Sequence, residues 1–471
     1  MKLEEKSNMK PEEEIVIKKN ELYNVEFTSM THEGLGVGRI GNYPVFVFDA
    51  LVGEKAVIRL IKADKKHGYG TIVRMSKPSE RRVKPVCDVY YQCGGCNMMH
   101  INYEGELAYK KSLVKETLKR IGKFEEPKVK NVIGMEERVG YRNKVSVPFG
   151  DNGFGKVICG FYKQRTHIIQ PLETCYIQTE TATEIVKFIR NLCNEYKILG
   201  YNEETNKGII RHVLVRHSEK YNEYMVILVL TKEQIKEQND IVLKLTHRYP
   251  MIRTIVINVN NKDTNTILGE QFITIYGDGI IIDELCGLQF EISPESFYQV
   301  NHSQTEKLYT KAIEYAELSG DEVVIDAYCG IGTIGLIASQ KAKFVYGVEM
   351  VKSAIANARK NAYLNNVRNI SFVVGKSEEQ ILKWKKEQLQ VDVIFIDPPR
   401  KGCDKILLDA IVELGIKKVV YISCDVATFA RDARILVDSG YELKETTPVD
   451  MFPFTTHIET VSVFVKQQNN S

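Results

Sequence analysis

From about Ser293 onward the chain repeats one pattern five times: a short, nearly continuous apolar run followed by a helix-like stretch. The runs EVVIDAYCG, FVYGVEM, ISFVVG, VDVIFID and KKVVYISC read as strands. TIGLIASQ and Lys352–Leu364 read as the first two helices. Strands that are apolar on both faces need cover on both sides, so the pattern predicts a parallel, doubly wound α/β sheet. Ligands of such sheets bind beyond the carboxyl ends of the strands. The residues closing those strands are therefore the first place to look for chemistry.

The rest of the chain reads differently. Residues 16–76 carry short alternating runs, VEFTSM, PVFVFD, EKAVIRLI and GTIVRM, separated by glycine turns, which predicts an OB-like barrel of about five strands. Lys62, Lys65, Lys66, His67, Tyr69 and Arg74 cluster near its last turn. Basic residues interleaved with an aromatic suit an RNA backbone, and equally a solvated loop. Residues 77–285 are expected to form an α+β central domain, with a helix at 103–121 that packs on the catalytic domain, and 286–471 the doubly wound domain. A disordered tail is expected at 1–15, and Gln467–Ser471 looks the same. No run of 18 apolar residues offers a membrane span, and MKLEEKSNMKPEEE has no secretory core. Lys+Arg 64 against Asp+Glu 61 leaves +3, too balanced to announce a nucleic-acid binder. Ten cysteines without an export signal point to reduced thiols in the cytoplasm, as ligands, nucleophiles or core residues.

Three strand ends carry chemistry. Asp326 to Gly332 closes the first strand with glycines that let a ligand approach the backbone. Glu349 ends the second strand, where a carboxylate can accept from both hydroxyls of a ribose. Asp397-Pro398-Pro399-Arg400 ends the fourth, with the prolines stiffening the backbone where a planar base would dock. The fifth ends at Cys424, expected to have its thiol pKa depressed by the N–H groups of the next helix. His457 and Glu459 supply a candidate acid/base pair. Cys87, Cys93, Cys96 and Cys175 could hold zinc or an iron–sulfur cluster. Of the remaining thiols, Cys193 is assigned to a helical apolar face, Cys159 and Cys286 to strand-like runs, and Cys403 to the surface.

DPPRKG, SCD…FARD and FPFTTHIE, in this order, resemble the bacterial RNA uracil-5-methyltransferases, whose closest members act on 23S ribosomal RNA. The resemblance spans nearly the whole chain. It implies a TRAM barrel, an iron–sulfur-binding central domain and a Rossmann-like class I methyltransferase domain that uses S-adenosylmethionine. It implies Cys424 as the nucleophile on uracil C6 and Glu459 as the base that removes the C5 proton. Asp397 would orient the base or cofactor, and Arg400 would stabilise charge on O4 or a phosphate. Gln299, Tyr328, Glu349 and Asp397 match cofactor contacts, and the four cysteines match a [4Fe-4S] site. The chain departs from the family at Asp425-Val426, often Asn-Pro, and at Thr333, Asn in some relatives. The implied partner is a loop or bulge uridine of 23S rRNA, met by a cytoplasmic monomer with no membrane contact. Alternatives are a transfer-RNA uracil-5-methyltransferase, an RNA cytosine-5-methyltransferase and a non-catalytic ribosome-assembly protein.

Overall fold

The structure, a computed structural model, describes residues 16–467. The tails expected at 1–15 and, apart from Gln467, at the C-terminus lie outside the described residues. The backbone falls into two compact units, one running to Pro85 and including Asn97–Glu106, the other comprising Val86–Cys96 and the chain from Leu107 onward.

In the first unit β1 (Leu22–Met30), β2 (Gly36–Ile40), β3 (Tyr43–Val47), β4 (Lys55–Ala63) and β5 (Gly68–Lys77) close a barrel in the order β1-β2-β3-β5-β4. Alternation turns Val25, Phe27, Val45, Val47, Ile58 and Leu60 inward. Gly38 is required by close packing, since a Cβ there would lie 2.1 Å from Val25 Cγ1. Glu54, fully buried, accepts from Leu51 N–H at 2.8 Å and from Arg82 Nε at 2.6 Å, which pins the chain as it leaves the barrel. On the outside the rings of Phe46, His67 and Tyr69 form a cluster with centroids 5.5–5.7 Å apart.

The helix α1 (Tyr103–Arg120) precedes the second sheet. That sheet contains β6 (Lys144–Asp151), β7 (Val157–Tyr162), β8 (Ile169–Pro171), β9 (Ile210–Ser218), β10 (Glu223–Leu230), β11 (Ile252–Val259) and β12 (Gln271–Tyr276). Their order is β12-β11-β10-β9-β6-β7-β8. Helix α2 (Glu180–Glu195) starts where Thr179 Oγ1 caps the Ala182 N–H at 3.2 Å. Helix α3 (Gln238–Arg248) makes the crossover between the parallel strands β10 and β11. A hairpin, β13 (Ile281–Leu285) and β14 (Leu288–Ile292), follows. Cys286 lies in its turn at φ 50°, not in a strand.

The last sheet follows α4 (His302–Ala316). Its strands are β15 (Val323–Ala327), β16 (Phe344–Glu349), β17 (Ile370–Val374), β18 (Val393–Ile396), β19 (Lys418–Ser423), β20 (Tyr441–Val449) and β21 (Glu459–Lys466). The helices between them are α5 (Thr333–Ser339), α6 (Lys352–Leu364), α7 (Ser377–Lys386), α8 (Lys405–Leu414) and α9 (Val426–Asp438). The order β17-β16-β15-β18-β19-β21-β20 reverses at β15/β18, which opens a crevice at the carboxyl ends of those strands. The first five strands are parallel, while β21 runs antiparallel between β19 and β20. One apolar core joins Leu214, Met225 and Ile227 of the second sheet to Val324, Phe395 and Val420 of this one. No helix among the described residues is long and apolar enough to cross a membrane.

The segment leading into β21 is held by buried polar contacts. Lys110 Nζ of α1 lies 2.6 Å from Asp450 Oδ1, and neither side chain has any exposure. The same ammonium donates to the Phe452 carbonyl at 3.1 Å. Asn301 Nδ2 donates to the Met451 carbonyl at 3.0 Å, and the Tyr141 hydroxyl to the Pro453 carbonyl at 3.2 Å. Removing one partner of such an ion pair leaves a charge stranded in low dielectric. Lys110→Met is expected to destabilise the second unit by about 3–5 kcal/mol, and Lys110→Met with Asp450→Leu to recover most of the loss. Chemical denaturation of the single and double variants checks this.

Candidate active site

Past the end of β15 the chain turns through Tyr328 (φ 67°), Gly330 (φ 55°) and Gly332 (φ 86°). A Cβ on Gly332 would meet the Phe372 ring at 2.9 Å, whereas one on Gly330 would meet nothing within 4 Å. One glycine thus serves packing and the other faces open space. Buried Asp326 accepts the Gly335 N–H at 2.7 Å through Oδ2, and its Oδ1 has no hydrogen-bond partner. Burial pushes its carboxyl up to about 8, with Asp397 and Glu349 adding to the shift. Glu349, half-buried, accepts the Val351 N–H at 2.9 Å. Gln299 is buried, and its carbonyl accepts from Asn143 Nδ2 at 3.1 Å. Tyr328 packs against the cluster that contains Ile394, Ile396 and Cys403.

Cys424 and Glu459 meet through strand register. β19 and β21 are antiparallel neighbours with Ser423 opposite Thr460, so the next pair outward is Cys424 and Glu459. Asp397 leaves the adjacent strand β18. Glu459 is buried, its Oε2 has no hydrogen-bond partner, and burial plus Asp397 push its carboxyl well above the usual range. Burial, Glu459 and Asp397 push the Cys424 thiol up to about 12, against the opposing charge of Arg400. Burial raises Asp397 to about 7.

The expectation of a thiol pKa depressed by α9 is therefore corrected. Asp425 Oδ1 itself accepts the Ala427 and Thr428 N–H groups, at 3.0 and 2.9 Å, so those donors are already spent. Cys403 is also corrected: it is buried, not exposed. Its N–H donates to Asp432 Oδ2 at 2.8 Å and its thiol contacts the Tyr421 hydroxyl at 3.5 Å.

Asp432 and its neighbours clamp the turn that carries Arg400. Thr428 Oγ1 donates to the Arg400 carbonyl at 3.1 Å, and Arg431 donates to the Lys401 carbonyl at 3.0 Å. FARD stands out in the sequence as a motif, but its letters alone assign Asp432 no role. Tyr309, a buried residue of α4, lies near Thr333, Asp397, Asp326 and Glu459. The signal available for it was its place on the apolar face of α4. His457 is exposed at the rim, 6.1 Å from the Phe452 ring. Partial desolvation of its ring by the surrounding chain, with Arg400, Lys110 and Arg142, favours its neutral form.

The four cysteines of the candidate metal set lie within the second unit. The loop bearing three of them docks on the β7–β8 hairpin, where Gly94 N–H donates to the Tyr162 carbonyl at 2.9 Å. Cys93 Sγ accepts the Gly95 N–H at 3.3 Å, and the Cys175 sulfur faces the N–H groups of Ile177 and Gln178. The thiols of Cys87 and Cys93 lie close enough to Cys175 to raise its pKa. Even so, among the described residues no three His, Cys, Asp or Glu side chains converge as a metal-holding group. Donor chemistry fits an all-sulfur site, but a preformed four-ligand cage is not present.

Comparison with known proteins decides the family. The family described as tRNA (Uracil-5-)-methyltransferase matches residues 220–468, more than half of the chain, and the TRAM domain matches 18–73. The chain belongs to the RNA uracil-5-methyltransferases. These enzymes transfer methyl groups from S-adenosylmethionine. An uncharacterized RNA methyltransferase of Oceanobacillus iheyensis is 43% identical over 96% of this chain and 98% of its own length. One of Listeria innocua is 46% identical over 95% and 98%. The crystal structure of Pyrococcus abyssi tRNA (uracil-54, C5)-methyltransferase with S-adenosyl-L-homocysteine superposes with a TM-score of 0.76 at 25% identity, covering 94% of this chain and 99% of that one. The site of this methyltransferase suits its cofactor: buried Asp326 and Glu459 each keep a carboxyl oxygen with no hydrogen-bond partner, and an arriving sulfonium cation would favour the ionised carboxylates that burial disfavours.

The acid surroundings of Cys424 generate a prediction. At neutral pH the free thiol should react slowly with iodoacetamide, about tenfold faster per pH unit below its pKa. Glu459→Gln removes a repelling charge, so the thiol pKa should fall and the rate rise. Peptide mass mapping of alkylated Cys424 against pH reads both, and an unchanged profile in Glu459→Gln would contradict the assigned coupling.

Proposed function

We propose that this enzyme forms 5-methyluridine in 23S rRNA, with Cys424 as nucleophile and Glu459 as base. The pairing of Cys424 with Glu459 across β19 and β21 is the observation that carries the reading. C5 of uracil is a weak nucleophile, and the chain's residues must change that. The Cys424 thiolate adds to C6, forming an S–C bond and moving the electron pair toward C5 and O4. S-adenosylmethionine supplies an electrophilic methyl group to C5. Glu459 takes the C5 proton, the C6–S bond breaks, and Cys424 leaves as thiolate. A carboxylate desolvated as Glu459 is makes a strong base when ionised. Arg400, exposed at the rim, is suited to charge on O4 or on a phosphate. Gln299, Tyr328, Glu349 and Asp397 are proposed to hold the cofactor, Glu349 through the ribose hydroxyls.

The choice of 23S rRNA rests on the motif resemblance and on the four-cysteine set. We propose that Cys87, Cys93, Cys96 and Cys175 bind a [4Fe-4S] cluster in a central domain spanning 77–285, supported by N–H groups directed at two of the sulfurs. No reaction step needs it, because methyl transfer moves no net electrons. The cell compartment is proposed as the cytoplasm and the protein as a monomer. Transfer RNA is the second reading, favoured by the family description and by the substrate in the archaeal neighbour's name.

Labelled S-adenosylmethionine with unmodified 23S rRNA and transfer RNA in parallel tests the reading. Ribothymidine in 23S rRNA, abolished by Cys424→Ala, is the expected outcome. Glu459→Gln should slow turnover by about 10²–10⁴-fold and accumulate protein covalently joined to RNA. Ribothymidine in transfer RNA alone would move the substrate, and 5-methylcytosine would sink the reaction. Iron and sulfide analysis of anaerobically purified protein, with Cys175→Ser beside it, tests the cluster.

A further inference from the structure

Three cations crowd the entrance of β6 without any carboxylate to neutralise them. Lys144 stands directly opposite Arg216 in the antiparallel β6–β9 pair, an arrangement that costs stability for like charges. Arg142, two positions earlier, donates from Nε to the Lys144 carbonyl at 3.1 Å. Among the described residues none of the three has an acidic side chain within 4.0 Å. Arg216 is 4% exposed, donates to the carbonyls of Pro294 and Ser296 at 3.0 and 2.5 Å, and leaves its Nε with no partner. Burial together with Arg216 and Arg142 lowers Lys144 to about 8. A buried guanidinium with an orphaned donor, beside an ammonium repelled by two cations, is tolerated where an anion arrives.

The position of the cluster says which anion. Arg216 grips the segment that carries Phe297, 66% exposed, and Gln299. Asn143, between Arg142 and Lys144, binds the Gln299 carbonyl at 3.1 Å and receives its neighbour His217 N–H at 2.7 Å. The Arg142 backbone bridges Asn301, whose amide holds the Met451 carbonyl in the segment leading to Glu459, so the cluster lies beside the elements that frame the Cys424–Glu459 pair. A uridine delivered to Cys424 brings a phosphate on each side.

We propose that Arg142, Lys144 and Arg216 form a receptor for an RNA backbone phosphate flanking the target uridine. The inference rests on the proposed function only in taking RNA as the partner. The receptor positions the nucleotide and reads no base, so it should act on every RNA the enzyme accepts.

Salt-dependent binding tests it. Wild type, Lys144→Met and Lys144→Arg would be titrated with a uridine-containing stem–loop RNA from low to moderate salt. Lys144→Met should bind roughly fivefold more weakly at low salt and lower the slope of log K against log salt by about 1. Lys144→Arg should restore the slope. Lys144→Met relieves repulsion, so its melting temperature should not fall, which separates a lost contact from a lost fold. S-adenosylmethionine affinity, measured without RNA, should be unchanged. An unchanged slope overturns the proposal, as does loss of cofactor affinity with RNA binding intact, which would assign the cluster to the methionine carboxylate. If wild type binds the RNA with this slope but methylates no uridine, the receptor stands and the methylation reading falls.

Discussion

The antiparallel insertion of β21 between β19 and β20 is the constraint on which the reactive site depends. Parallel strands each deliver one residue to the crevice at their carboxyl ends. An antiparallel neighbour delivers its first residue to the same edge. Cys424 leaves β19 and Glu459 enters β21, and the ladder between them sets their spacing. A slip of one residue in that ladder would turn Glu459 to the other face of the sheet. The buried contacts of Lys110, Asn301 and Tyr141 with the segment before β21 hold that register from outside the sheet.

A second constraint is electrostatic. Three carboxyl groups and one thiol share a desolvated volume, so they resist being ionised together. The cationic residues lie around this volume: Arg400 on the rim, and Arg142, Lys144 and Arg216 by the loop that carries Gln299. This division, acid inside and base around it, matches a substrate whose charge lies on phosphates and a cofactor whose charge lies on sulfur.

Much of this was legible in the sequence. Five apolar runs gave the parallel strands, because a strand buried on both faces cannot hide its composition. The strand ends then located Asp326, Glu349, Asp397 and Cys424. The glycine-punctuated alternation at 16–76 matched the five-strand barrel. What stayed hidden depends on tertiary contacts. Nothing in SCDVATF reveals that the Asp425 side chain occupies the N–H groups thought to serve the thiol. Cys403 looks like a loop residue until Tyr421 and Asp432 close over it. Tyr309 and Lys144 are unremarkable letters in their runs, and only packing gives them neighbours. The cysteine spacing suggested a ligand set, whereas among the described residues no three His, Cys, Asp or Glu side chains converge as a metal-holding group.

Asp425 has a consequence for the lifetime of the enzyme. By spending the helix's donors on its own carboxylate, it leaves Cys424 as a neutral thiol among acids. Peroxide attacks thiolates, and the first oxidation step is therefore suppressed between turnovers. A half-buried cysteine at the end of a strand is thereby slow to oxidise, because its surroundings withhold the charge that peroxide needs.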